Sequence, residues 1–264
     1  RVFNLENPLY ARFAGHIEEK RIRSTLGHPV FLGACLVGCI PLGIHFLNTS
    51  KTVASRILNF FCLLAMVIAL FFTFSRGAWV GFGVSVWMLV KKRHGYFTLP
   101  LLIVLLLALI FLSPYLFQVA QKTYSGYIRN FFENSRVLAY DYSAHLTIQH
   151  MLLGVGSGQY PAFSHVYGAT DDTPDSMYLR LLIEYGVLGL SCMILLGTLI
   201  INSLRISRVC EREEMLAVSL RSSLVGFAVD LTVCDALYFP ATRILFWILC
   251  GLSVAVVRQE KAFS

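Results

Sequence analysis

The segment Thr73-Phe74-Ser75-Arg76-Gly77-Ala78-Trp79 sets an arginine where one apolar stretch, Ile57 to Phe74, meets another, Ala78 to Val90. A guanidinium near hydrocarbon is costly unless it pairs or reaches the interface, so Arg76 reads as a functional group. Arg21, Arg23 and Arg136 fall on the same side of the chain's charge pattern. Planar guanidinium forks match phosphate oxygens in pairs, so several of them facing one way suggest an anionic ligand, and a diphosphate suits them well.

Further reactive groups lie in the polar stretch 121–175 and just beyond it. Asn134 can cap a helix running to about Leu153, with Arg136 in its first turn. A cation there opposes the helix dipole unless an anion is near, or it pairs with Glu133. In Leu153-Gly154-Val155-Gly156-Ser157-Gly158 the alternate glycines allow close backbone approach: their amides either hold an oxyanion or shape a turn. A P-loop is excluded, because its lysine is missing. Asp175 and Ser176 precede a helical run, so Asp175 is either its cap or an acid–base group. Arg180 and Glu184 stand one turn apart, a spacing at which they can pair. His145 and His165 are the alternative bases, because imidazole is the side chain whose unperturbed charge change falls nearest neutral pH. Asp171, Asp172 and Asp175 can bind a hard cation, yet arginines neutralise a diphosphate without one, so neither metal nor other cofactor is expected.

The elements that must position these groups are membrane helices. The chain is 56% hydrophobic and 14% charged, with mean hydropathy +0.67, outside the range of a water-soluble domain of this length. Stretches with little or no charge predict about seven spans: Pro29 to Leu47, Ile57 to Phe74, Gly77 to Val90, Tyr96 to Ala120, Tyr185 to Leu204, Ser222 to Tyr238, which carries Asp230 and Asp235, and Ile244 to Val257, the third and seventh being short enough to need their flanks. The fold class expected is an all-α polytopic membrane protein with one large helical loop outside the bilayer. Its parts are an interfacial segment 1–28, four spans in 29–120, the outer loop 121–175, and three spans with a tail in 176–264. Lys51 and Arg56, Lys91 to Arg93, Arg205 to Arg221, and Arg258 with Lys261 mark alternate turns as cytoplasmic, which leaves Arg76 and 121–175 outside. The net charge of +7 follows from that asymmetry and does not argue for nucleic acid. The seven cysteines sit mostly in apolar stretches, so no disulfide framework is expected.

Four stretches resemble the O-antigen ligase and polymerase family of bacterial membrane glycosyltransferases: Arg23-Ser24-Thr25-Leu26-Gly27-His28-Pro29; Thr73 to Ala78; Arg136 followed by His150 to Gly156; and Asp175 to Leu179 with Glu184 to Gly189. The resemblance implies a GT-C-like fold in the inner membrane, with the active site facing the periplasm and further spans before Arg1. It implies an undecaprenyl-diphosphate-linked glycan as donor, and as acceptor a glycan or lipid-linked glycan hydroxyl, attacked with inversion. Arg76 and Arg136 then hold the leaving diphosphate, with Arg21 or Arg23 as a third contact. Tyr140, Gly156, Tyr178 and Arg180 complete the substrate-binding set. Ligases of the family commonly carry histidine then asparagine where this chain has Asp175-Ser176, which favours a polymerase over a ligase acting on lipid A core. Asp175 takes the place of the catalytic histidine. The competing non-enzymatic reading is a transporter or flippase for lipid-linked glycan, which outer arginines and Asp230 also suit; it does not account for the large outer loop. A purely structural subunit leaves the arginines without use.

Overall fold

The computed structural model describes residues 27–92, 143–162, 174, 176–206 and 211–263. Its long helices are α1 Pro29–Thr49, α2 Val53–Phe72, α3 Arg76–Lys92, α4 Met177–Ile206, α5 Glu211–Asp230 and α6 Pro240–Phe263, with a 3-10 turn at Ala236–Tyr238 before α6. A short helix covers 143–149, and no strand occurs among the described residues. The ends follow local chemistry. Proline opens α1 and α6, where a missing N–H costs nothing. The His28 side chain accepts from Val30 N at α1, and the Thr52 hydroxyl accepts from Ser55 N at α2.

Pro29–Thr49, Val53–Phe72, Met177–Leu204 and Pro240–Arg258 are long and apolar enough to cross a membrane. The chain is a polytopic helical membrane protein. Ile57, Leu58 and Phe61 on α2, Leu188, Leu195 and Leu199 on α4, and Ile244, Trp247 and Ile248 on α6 are exposed, as lipid-facing side chains are. Six of the seven expected spans fall on helices; 96–120 lies outside the described residues. The third expected span, Gly77 to Val90, lies within α3, whose 17 residues include its flanks. The bounds of the sixth are corrected: the helix runs over Glu211–Asp230 rather than Ser222 to Tyr238. An apolar window begun after Arg221 misplaces α5 because that helix is enclosed by its neighbours, where polar residues do not meet lipid.

The seam between α5 and α3 brings the two helices together at backbone distance. Gly77, Gly81 and Ser85 on α3 oppose Asp230, Gly226 and Ser222 on α5, small groups at four-residue spacing running antiparallel. A Cβ on Gly81 would lie 2.5 Å from the Gly226 carbonyl oxygen, and one on Gly226 would strike Ser85 Oγ. Ser85 Oγ instead donates to the Ser222 carbonyl at 2.9 Å, the interhelical contact that hydrocarbon surroundings favour. Val37, Ile40, Leu63, Leu70 and Phe82 tie α1, α2 and α3 together, and Phe227, Leu220, Leu249 and Phe246 join α5 to α6.

Candidate functional site

Arg76 is the first residue of α3, and the turn before it is closely specified. Phe74 adopts φ 49, a left-handed conformation uncommon for a bulky residue. Thr73, fully buried, donates its hydroxyl to Leu70 O at 2.7 Å and accepts from Ser75 N at 3.3 Å. Trp79 Nε1 donates to the same Leu70 carbonyl at 3.2 Å, and its ring stacks on Phe71. The Arg76 side chain is exposed. An anion beside it would meet both a guanidinium and the positive end of a helix.

At the same end of the bundle the first part of α4 is held on the α5–α6 turn. Met177 N donates to the carbonyls of Leu231, at 3.0 Å, and Cys234, at 3.2 Å. Tyr178 Oη donates to Ala228 O at 2.9 Å. Pro174 and Ser176, on either side of residue 175, are both buried. Arg76 reaches the same turn through its neighbour: a Cβ on Gly77 would lie 2.7 Å from Asp230 Oδ1 and overlap Val233. Residues about a hundred apart in sequence are thereby braced on one short loop.

α4 is broken in the middle of this region. Gly186 has φ 68 and ψ −170, non-helical values inside the helix, which leaves carbonyls before it and amides after it without intrahelical partners. The segment at 151–156 takes them up. Val155 N donates to Ile183 O and Gly156 N to Glu184 O, both at 2.9 Å; Val187 N donates to Met151 O at 2.8 Å and Leu188 N to Leu152 O at 3.4 Å. Broken helices in membranes persist where neighbouring backbone supplies such bonds. Gly154, at φ 70, and Gly186 permit the approach: a Cβ on either would collide with the backbone of the other segment. Leu146, Tyr160 and Ile183 close a small apolar cluster beneath. The helix expected to run to about Leu153 ends at 149, and the carbonyls of Met151 and Leu152 serve the break in α4.

Among the described residues Arg180 is the largest fully buried side chain, 1% exposed. Its Nε donates to Glu184 Oε1 at 3.1 Å, and its Nη1 to Asp235 Oδ2 at 2.9 Å. The guanidinium lies 3.6 Å above the Tyr238 ring, close enough for a cation–π contact. Burial pushes the Asp235 carboxyl above the usual carboxylate range, and the Arg180 guanidinium beside it pulls the other way. The i,i+4 pairing of Arg180 with Glu184 that the spacing allowed is formed, and Asp235, 55 residues away, is the partner that no spacing rule indicates.

Among the residues picked out from sequence, Arg76, Gly156, Tyr178, Arg180 and His145 are described. His145 is exposed on the short helix 143–149. The Gly156 amide, the Tyr178 hydroxyl and Nε and Nη1 of Arg180 are engaged within the protein as above, while Arg180 Nη2 is buried with no hydrogen-bond partner among the described residues. Arg21, Arg23, Arg136, Tyr140, His165 and Asp175 lie outside the described residues. Sequence reasoning took Glu184 only as a partner for Arg180, passed over Asp235 and Tyr238 as site builders, and treated Asp230 only as a transport group. Asp230 is fully buried, and neither carboxylate oxygen has a hydrogen-bond partner among the described residues.

A family profile described as O-antigen ligase matches residues 61–194, just over half of the chain. The match takes in most of α2, α3, the described part of 143–162 and α4 as far as Ile194; α5, the α5–α6 turn and α6 follow it. Comparison with curated proteins finds no match.

Proposed function

This chain belongs to the O-antigen ligase family, and from that premise we propose that it is a glycosyltransferase of the bacterial inner membrane that uses an undecaprenyl-diphosphate-linked oligosaccharide as donor. The observation that supports this most is the family match over 61–194. It contains both the Arg76 turn and the α4 mouth, two segments braced on one turn. The active site faces the periplasm, with 121–175 as its outer loop, because the basic clusters mark the opposite turns as cytoplasmic.

In the reaction an acceptor hydroxyl oxygen attacks the anomeric carbon from the face opposite the diphosphate. The new glycosidic bond forms as the bond to the diphosphate oxygen breaks, and configuration inverts. Arg76 and Arg136, with Arg21 or Arg23, take the charge that gathers on the departing diphosphate, where fixed donors are most effective. Asp175 orients the hydroxyl and receives its proton late in the displacement, since a carboxylate of ordinary pKa, about 4, is a weak base in water. His145 and His165 are the alternative acceptors of that proton. The Asp175-Ser176 pair favours polymerisation onto a second lipid-linked glycan over ligation to lipid A core.

Purified full-length protein in lipid, supplied with lipid-linked oligosaccharide, tests this. Elongated lipid-linked chains are the expected product. Transfer only to added lipid A core would assign a ligase, and movement of intact donor across the bilayer with no new glycosidic bond would assign a flippase.

A further inference from the structure

We propose that Asp235 is a positioning residue for the transfer reaction, acting through Arg180 to hold the mouth of α4 against the turn that also braces Arg76. The proposal rests on the transferase reading above. Three parts of the fold converge on 230–239. Gly77, next to Arg76, packs on Asp230 and Val233. Met177 N is held by Leu231 O and Cys234 O. Phe31, near the start of α1, stacks on Phe239.

Among these contacts the Arg180–Asp235 pair is the charged one, and it has direction. Nε points along α4 to Glu184, Nη1 points across to Asp235, and the Tyr238 ring covers the guanidinium face. The Glu184 contact orients the guanidinium on its own helix, and the Asp235 and Tyr238 contacts tie it to the turn, so a roll of α4 on the turn would break both of the latter. Two apolar side chains of similar volume would hold the helices together at least as firmly. What the ion pair adds is a fixed angle. Pro174 and Ser176, which lead into α4, are both buried, so any roll of α4 shifts the chain where it enters the helix. Displacement at an anomeric carbon tolerates little misalignment, with a shift of about 1 Å costing on the order of 100-fold in rate. Asp235 and Tyr238 lie beyond the part of the chain that matches the family profile.

The test compares full-length Asp235→Asn, Asp235→Glu and Tyr238→Leu with wild type by two readouts. In the transfer assay, Asp235→Asn is expected to lower turnover at saturating donor by about ten-fold or more while donor KM stays within about three-fold. Asp235→Glu recovers most of the loss, and Tyr238→Leu falls between. In a cysteine-free background, spin labels at Val80 on α3 and Leu188 on α4, both exposed, should give a broadened distance distribution in Asp235→Asn and a narrow one in Asp235→Glu. Wild-type turnover or an unchanged distribution in Asp235→Asn overturns the proposal, as does a loss confined to donor KM. Should Asp235→Asn fail to insert, Tyr238→Leu decides, because its side chain is half exposed: unchanged turnover with an unchanged distribution overturns the proposal. If wild type transfers nothing, the transferase reading fails, and the distance distributions alone decide whether Asp235 positions α4.

Discussion

α5 makes two contacts built on opposite principles. Along its seam with α3, side chains are reduced to Gly81, Gly226, Ser85 and Ser222, so the backbones touch and one hydroxyl crosses the gap. At the turn beyond its C-terminal end, large charged and aromatic groups, Arg180, Asp235, Glu184 and Tyr238, are gathered instead. The seam fixes how close two helices lie and leaves them several ways to slide. The turn fixes an angle at the cost of burying an arginine and two carboxylates. A membrane protein can rely on close packing for cohesion, whereas a site that must hold reacting groups in register calls for directional contacts.

The largest expected effect comes from breaking the charged contact on one side. Arg180→Met leaves Glu184 and Asp235 buried without their cation, at a cost of about 3–5 kcal/mol. In a thermal melt of detergent-solubilised protein the variant should unfold far below wild type. Adding Glu184→Gln and Asp235→Asn should restore most of the stability, which would identify the unpaired carboxylates as the cause. A triple variant as unstable as the single one would mean that the guanidinium matters for its volume rather than its charge.

A smaller effect sharpens the comparison at the break in α4. Gly154 and Gly158 share nearly the same positive φ, 70 and 71. A Cβ at 154 meets the Glu184 backbone, while one at 158 meets nothing within 4 Å. Alanine at 158 should therefore cost only the conformational strain, about 1–2 kcal/mol. Alanine at 154 should add the loss of the backbone bonds to α4, visible as faster amide exchange at Val155 and Gly156. Equal exchange in the two variants would mean that the clamp is not held by close approach.

Ser85→Ala is the mildest change. Polar contacts between membrane helices average about 0.6 kcal/mol and reach about 1.7, so the melting shift should be slight and expression normal. A collapse of expression would show that the seam depends on its hydroxyl more than on its glycines.

What was legible in the sequence was local. The junction at Thr73 to Trp79 announced a break between helices with Arg76 at its edge, the Gly154 to Gly158 pattern announced a turn, and Arg180 with Glu184 announced a pair. α5 was poorly legible because Ser219, Ser222, Ser223 and Asp230 face the interior, which erases the apolar signature by which a lipid-facing span is recognised. The clamp between 151–156 and 183–188, and the bridge from Arg180 to Asp235, join residues about 30 and 55 apart. Helical or strand periodicity carries no information at such distances, since only the packed bundle decides which turn lies beside which helix. The proposed base Asp175 and the arginine Arg136 rest on the family motif and on side-chain chemistry.

The release of undecaprenyl diphosphate by purified full-length protein, followed with and without acceptor glycan, tests the central claim most directly when wild type is set beside Arg76→Lys. Wild type should release the lipid diphosphate in step with new glycosidic bonds. Arg76→Lys, which keeps the charge but loses the planar fork, should insert normally and release it at least about ten-fold more slowly. Release by Arg76→Lys at the wild-type rate, or the absence of acceptor-dependent release in wild type, would contradict a diphosphate site at Arg76.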